Sequence, residues 1–421
     1  MYSTLKERFV ALLRWTERYT KTDMVYLTKG SFWIAVGQVV YVPTALLLSV
    51  AFANLVPKDV YGTYRFILSL ASIVGVFALT GVDTAIPQAV ARGYEGAVRQ
   101  GFRTYLKWSW MMIAAGGVLA AYYLFHGNTT IGYAILIAGV TLPVFSGASL
   151  YSEFLIGRRE FRVNALLSIF QTLFPAVIML ATMLLVPDTL ALITAYFVGT
   201  MVSALLLYFF VIRRYHPNAR IDPESTRFGF HVSFANFLAV TADQLDRLLV
   251  FHFFGAAQLA EYSFAIAIPE YLRSATKAVN TLATPKYAVR ERVSFRHTIL
   301  QKTFLLVGGL AIVALAYALS APFIFRVFYP HYLASIPYSQ VYALAILGGG
   351  TMLSNAALTA QRAVREQYLT VTANNTVRIV LLIVLTLYFG LWGTIVARIL
   401  GKLSAVVVNV SFARSMGVKD N

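Results

Sequence analysis

Residues 228–254 read FGFHVSFANFLAVTADQLDRLLVFHFF and residues 261–283 read EYSFAIAIPEYLRSATKAVNTLA, with Gly255 in the short connection between them. As helices, both runs are long enough to cross the roughly 30 Å hydrocarbon core of a bilayer. Inside them sit Asp243, Asp246, Arg247, Glu270, Arg273 and Lys277. A charge near the bilayer centre costs about 2.5–3.5 kcal/mol on insertion scales, and it persists where it serves a function or meets a partner. The spacing is ordered. Asp243 and Arg247 stand four apart, Glu270 and Arg273 three, Arg273 and Lys277 four. On helices each set shares a face, and these faces predict the wall of a polar cavity.

Outward from this pair the same composition continues. Hydrophobic residues make up 58% of the 421-residue chain and charged residues 13%, with long apolar runs recurring from end to end, so the expected class is an all-α polytopic membrane protein. Twelve transmembrane helices are predicted, at 31–54, 65–88, 105–126, 131–155, 165–186, 189–212, 229–253, 262–284, 301–325, 338–360, 368–388 and 391–412. Residues 1–28 carry Leu5, Phe9, Leu12 and Leu13 on one helical face opposite cations. That pattern fits a cytoplasmic interfacial helix or a basic tail, and it lacks a signal-peptide core. The short connections leave no room for a soluble catalytic lobe.

Basic residues set the orientation. The N-terminus, the connections after even-numbered spans and the C-terminus hold 26 of the 35 lysines and arginines, against Lys58, Arg65 and Arg326 on the opposite side. The positive-inside rule then puts both termini in the cytoplasm, for a multi-pass protein of the cytoplasmic membrane. The net charge of +17 is therefore a topology signal rather than a nucleic-acid footprint. There is no cysteine, hence no disulfide and no thiolate metal site. The six histidines lack ligand spacing and no Walker loop occurs, so no metal, cofactor or catalytic residue is expected.

The exit from span 1, LVPKDVYGTYRFI (residues 55–67), matches the exit from span 7, FFGAAQLAEYSFA (residues 253–265), with Tyr64 over Tyr262, Phe66 over Phe264 and Pro57 over Gly255. The match predicts two six-helix lobes related as a parallel repeat. Their expected bounds are 29–214 and 228–414, joined by a cytoplasmic linker at 215–227 and followed by a tail at 415–421.

These stretches carry a family resemblance. VPKDVYGTYRF after span 1, GVDTAIPQAVAR at 81–92, LIGRREFRVNALLSIFQ at 155–171 and Asp246-Arg247 followed by LLVFHFFGAAQLAEYSFA resemble, in order, the polysaccharide and lipid-linked oligosaccharide flippases, of the O-antigen transporter type. That family lies in a superfamily that also holds the multidrug and toxin extruders. The resemblance implies a two-lobed, twelve-helix exporter. Such a protein moves a polyprenyl-pyrophosphate-linked glycan to the outer leaflet by alternating access, in contact with membrane lipid and with glycan assembly or polymerase proteins as partners.

Six cations lie at membrane depth, all in the second half: Arg247, Arg273, Lys277, Arg378, Arg398 and Lys402. Arg398 and Lys402 stand four apart on span 12, and Asn374 and Arg378 four apart on span 11. Only Asp243, Asp246 and Glu270 oppose them at that depth. Internal ion pairing is the bland account, but the surplus of cations suits an anionic ligand such as a pyrophosphate-linked glycan. The three acids admit two roles, coupling to a proton or sodium gradient or salt-bridging to Arg247 and Arg273. Asp83 and Glu153, nearer the cytoplasmic ends, fit solvated or arginine-paired roles. Pro43, Pro143, Pro175 and Pro269 fit packing kinks or gating bends, Gly348-Gly349-Gly350 a hinge or a close contact, and the Asn128-Thr129-Thr130 sequon an accident.

Two alternatives stay open: a cation-coupled multidrug extruder of the same superfamily, which calls for net acidic sites, and a membrane glycan polymerase or ligase, which calls for catalytic groups at outer loops. Single cysteines introduced into this cysteine-free chain report its topology. Labelling from the cytoplasmic side is expected at both termini and in the 155–165 connection; an outside location for either terminus breaks the even span count.

Overall fold

The computed structural model of the chain describes residues 24–78, 82–222, 225–288, 292–360 and 364–415. The basic leading segment before residue 24 and the tail from 416 lie outside the described residues. Every regular element among them is helical. In chain order these are α1 (Met24–Leu55), α2 (Lys58–Gly75), α3 (Val82–Ala91), α4 (Ala97–Phe125), α5 (Thr129–Gly157), α6 (Phe161–Leu185) and α7 (Thr189–Tyr215). There follow α8 (Ser225–Ala288), α9 (Arg292–Phe328), α10 (Ile336–Tyr342), α11 (Thr351–Ala360) and α12 (Val364–Ser415), with 3₁₀ turns at Val76–Ala78, Pro330–Ser335 and Ala343–Gly350. Among the described residues, seven stretches are long and apolar enough to cross a membrane: α4, α5, α6, α7, and Ala239–Ser274, Leu300–Phe328 and Leu369–Phe412 within α8, α9 and α12. This is a helical, multi-pass membrane fold.

Two of the long helices are broken by glycine. Gly255 interrupts α8 at φ 83° and Gly390 interrupts α12 at φ 61°, backbone angles that glycine adopts without the steric penalty of a Cβ. At Gly390 the chain reverses. The Thr386 and Thr394 hydroxyls are 3.0 Å apart and the Asn374 carboxamide donates to Asn409 at 2.9 Å, whereas eight residues of straight helix span about 12 Å. Residues 369–412 therefore form an antiparallel helical hairpin.

The described residues group into two compact units, one of Trp33–Glu261 and the other of residues 24–32 together with the chain from Tyr262 onward. Within the first, α5 is the central helix: 56% of its most apolar window is buried, against 17% for α4 and for α6. Small residues on it, including Gly132, Ala134, Ala138 and Ala148, are buried and let neighbouring backbones approach. The core around it comprises Tyr105 and Met112 of α4, Leu150 and Phe154 of α5, and Leu207 and Val211 of α7. Asn128 caps α5 by accepting from the Ile131 amide at 3.4 Å, and Asp188 caps α7 through Leu190 at 2.9 Å. The asparagine of the sequon thus has a structural use.

The two similar stretches of sequence meet inside this unit. Gly62 packs so closely on Ala256 that a Cβ there would overlap the Ala256 carbonyl, Phe66 stacks on Phe251 at 3.7 Å, and Lys58 bonds Glu261 at 2.8 Å. At another edge of the unit, the chain leaving α7 is clasped to the turn after α3. Arg92 reaches Asp222 at 2.6 Å, the Gly96 amide donates to the Arg220 carbonyl at 2.9 Å, and Arg158 reaches Glu95 at 2.7 Å.

In the second unit α9 packs on the Ala343–Gly350 turn through Leu310, Ala314, Tyr317 and Ile346. The Tyr317 and Ser339 hydroxyls lie 2.6 Å apart, and Gln340 donates to the Ala318 carbonyl at 2.9 Å. The glycine run lies in the 3₁₀ turn, where a Cβ on Gly348 would come 2.9 Å from Lys402 Cβ and one on Gly350 would come 2.7 Å from Val307. Close contact accounts for these two glycines. The described helices run through Pro43, Pro143 and Pro175.

Candidate functional site

After the Gly255 break, α8 presents Tyr262, Glu270 and Arg273 at helical spacing, and after the Gly390 turn α12 presents Arg398 and Lys402 one turn apart. Tyr342, at the end of α10, completes the group. All belong to the second unit. The Glu270 carboxylate is the common acceptor of Arg273, Arg398, Lys402 and Tyr342. Its Oε2 receives Nε and a terminal nitrogen of Arg273, each at 2.9 Å. Its Oε1 receives Arg398 at 3.1 Å, Lys402 Nζ and the Tyr342 hydroxyl. Arg398 also donates to the Tyr262 hydroxyl at 3.3 Å.

Both cations of α12 lie over the Tyr342 ring, Arg398 at 5.8 Å and Lys402 at 5.7 Å from its centroid, in cation–π range. Their side chains are 8% and 14% exposed. At that degree of burial, ion pairing and charge-assisted hydrogen bonds decide whether the charges are tolerated. Among the described residues these three cations share this one carboxylate. Gly348 makes room for the Lys402 stem, and Gly401 for Arg378, whose Cγ would lie 3.4 Å from a Cβ at that position. Arg378 therefore packs its stem across the hairpin against Gly401. One turn from Arg378, Asn374 begins a carboxamide ladder in which Asn409 donates to Asn355 at 2.7 Å.

The structure brings together Glu270, Arg273, Arg398 and Lys402, residues up to 132 positions apart. Lys277 is on the α8 backbone, but its side chain lies outside the described residues. Asp243, Asp246 and Arg247 belong to the first unit. There Arg247 donates to Gln244 at 2.6 Å, and the two line a cavity of about 270 Å³ with Arg65, Tyr196 and Thr200. Asp246 is fully buried and Asp243 exposed. Asp83 accepts from the Tyr105 hydroxyl at 2.6 Å, so a tyrosine stands where an arginine or water was expected. The helical core around Tyr105 explains the choice, since it offers a hydroxyl without adding a charge.

Sequence reasoning missed Tyr342, Tyr262 and Arg65 as site residues. Arg65 carries a signal, because it opens an apolar run, FILSLASIVGVFAL. The tyrosines sit among other aromatics in apolar runs and carry none.

The sequence profile of the family described as "polysaccharide biosynthesis protein" matches residues 27–284. Among curated proteins none matches by sequence. Among solved structures, the chain is similar to the lipid II flippase MurJ in an inward closed conformation, with a TM-score of 0.69 and 13% identity over 92% of this chain and 87% of that one. It is similar to a multidrug resistance MATE family transporter of the MOP superfamily in its inward-facing conformation, with a TM-score of 0.70 and 11% identity over 90% and 96%. A third is a MOP superfamily transporter from Pyrococcus furiosus described by the reverse polarity of its binding pocket, with a TM-score of 0.64 and 14% identity over 93% and 95%. These likenesses show the fold.

The shared carboxylate sets an order of stabilities. Glu270→Ala leaves three inward cations without their common anion and is expected to destabilise by up to about 3–5 kcal/mol; Arg398→Ala or Lys402→Ala leaves Glu270 still paired and should cost clearly less. Thermal unfolding of the detergent-purified variants measures this, and equal losses would contradict the assignment.

Proposed function

The chain belongs to the polysaccharide biosynthesis protein family, and from that premise we propose that it is a flippase for a polyprenyl-diphosphate-linked oligosaccharide, working by alternating access across the cytoplasmic membrane. The observation that carries the reading is the cluster on Glu270: three cations, two of them largely buried, against one carboxylate. Moving a small ion from water to a medium like hydrocarbon costs on the order of 20 kcal/mol in the idealised limit. A diphosphate head therefore needs a path that offers counter-charges. Arginine supplies a planar fork of donors for phosphate oxygens and lysine a compact charge. Arg398 and Lys402 are the diphosphate donors in this reading, with Arg273 and Arg378 beside them.

The polyprenyl tail needs no protein carrier, because it is soluble in the hydrocarbon throughout. The glycan, being polar, needs an aqueous route through the protein. Twelve spans follow if the glycine breaks divide α8 and α12 and if α2 with α3, and α10 with α11, each make one crossing. The excess of basic residues in alternate connections then puts both termini in the cytoplasm. A rocking of two lobes, inward-open to load and outward-open to release, moves the bound head between leaflets with no covalent step. Proton or sodium coupling is assigned to no residue.

A multidrug extruder of the same superfamily recruits organic cations, which this basic cluster repels. Reconstituted protein should flip a polyprenyl-diphosphate glycan at least tenfold faster than a neutral glycolipid carrying the same sugars, and Arg398→Gln or Lys402→Gln should remove most of the difference at normal protein abundance. Equal handling of the two lipids would reject diphosphate recognition; transport of cationic drugs alone would establish the extruder reading.

A further inference from the structure

The acceptor capacity of Glu270 is divided between two kinds of partner. Oε2 is held from within its own helix by Arg273, three residues on. Oε1 takes every described bond that comes from elsewhere: Arg398 and Lys402 of α12 and the hydroxyl of Tyr342. An intrahelical pair survives any displacement of its helix. Bonds between helices do not. The two oxygens can therefore part company, with the carboxylate retained by Arg273 while Arg398 and Lys402 are handed to another anion.

We infer that Glu270 Oε1 is a resident counter-ion, which an incoming anionic ligand displaces from Arg398 and Lys402 and which returns when the ligand leaves. The inference rests on the reading that this cluster receives a diphosphate. Charge and geometry favour that ligand class. With Glu270 and Arg273 paired to each other, α12 offers two positive charges one helical turn apart, and a diphosphate diester brings two negative charges on adjacent phosphorus centres. A guanidinium has five N–H donors and an ammonium three, more than one carboxylate oxygen can engage. Without ligand, the returning carboxylate partly offsets the charge of the buried cations; with ligand, it competes for them, so release is assisted from inside the protein. Tyr342 sets the strength of that competition, because its hydroxyl donates to Oε1 while its ring lies under both cations.

A purely structural ion pair predicts the opposite sign for the same substitutions. Full-length protein in lipid nanodiscs is titrated with geranyl diphosphate as the probe, and with geranyl monophosphate as comparison, in wild type, Glu270→Gln, Tyr342→Phe and Arg398→Gln. The wild type should bind the diphosphate in preference to the monophosphate, and Arg398→Gln should weaken it. Glu270→Gln should tighten it about tenfold and slow its release. Tyr342→Phe, which keeps the ring and removes only a donor to Oε1, should tighten it about threefold and decides the matter if Glu270→Gln does not fold. If Glu270→Gln and Tyr342→Phe bind no more tightly than wild type while Arg398→Gln still weakens binding, the counter-ion role is overturned and the diphosphate reading stands. If the wild type does not bind the probe, or Arg398→Gln leaves binding unchanged, both fall.

Discussion

One carboxylate shared by an arginine of its own helix and by an arginine and a lysine of another is the constraint on which the second unit depends. Inside an apolar helical assembly an ion is tolerated when it is paired and hydrogen-bonded. Glu270 does this for Arg273, Arg398 and Lys402 together, and it fixes the register of the returning half of α12 against α8. The surrounding sequence serves that register. Gly390 turns the chain, Gly348 and Gly401 leave space for long cationic stems, and the Asn355, Asn409 and Asn374 ladder ties the hairpin to α11. The clustering of cations on one carboxylate is then a property of the fold as built, not of a flexible surface.

Much of this was legible in the residues. Apolar runs longer than a helical core needs, punctuated by Gly255 and by the break before residue 391, marked the long helices, because hydrocarbon thickness fixes their length. Charged residues at membrane depth stood out because their cost is high, and i,i+4 spacing put Arg398 and Lys402 on one face. Which acid they would meet was not legible. Glu270 is more than a hundred residues away, and nothing in its local sequence distinguishes it from Asp246, which the structure places in the first unit. Tyr342 was invisible for a different reason, since an aromatic residue in an apolar run reads as packing until a charge is seen on its hydroxyl and over its face. Arg65 was read only as an outer-side topology cation, and its side chain also lines the cavity of the first unit, because a position near a helix end does not say which way the side chain turns.

Fold and function separate clearly in this protein. The same architecture is found, at 11–14% identity, in a lipid II flippase, in a multidrug transporter and in a transporter described by a pocket of reverse polarity. A scaffold shared so widely leaves the ligand to the side chains that line it. Here those side chains are basic in both units, with Arg65 and Arg247 in one and the Glu270 cluster in the other. That polarity is the physical reason to read the cargo as an anion.

The most direct measurement is where a ligand head sits. A prenyl diphosphate carrying a photoreactive group next to its diphosphate, crosslinked to the reconstituted protein and mapped by peptide mass spectrometry, reports that position at the level of segments. The account predicts labelling concentrated on the stretches around Glu270, Tyr342 and Arg398 to Lys402, suppressed by an excess of unlabelled prenyl diphosphate and not by a neutral prenyl alcohol. Labelling that avoids these stretches, or that the alcohol suppresses equally well, would contradict it.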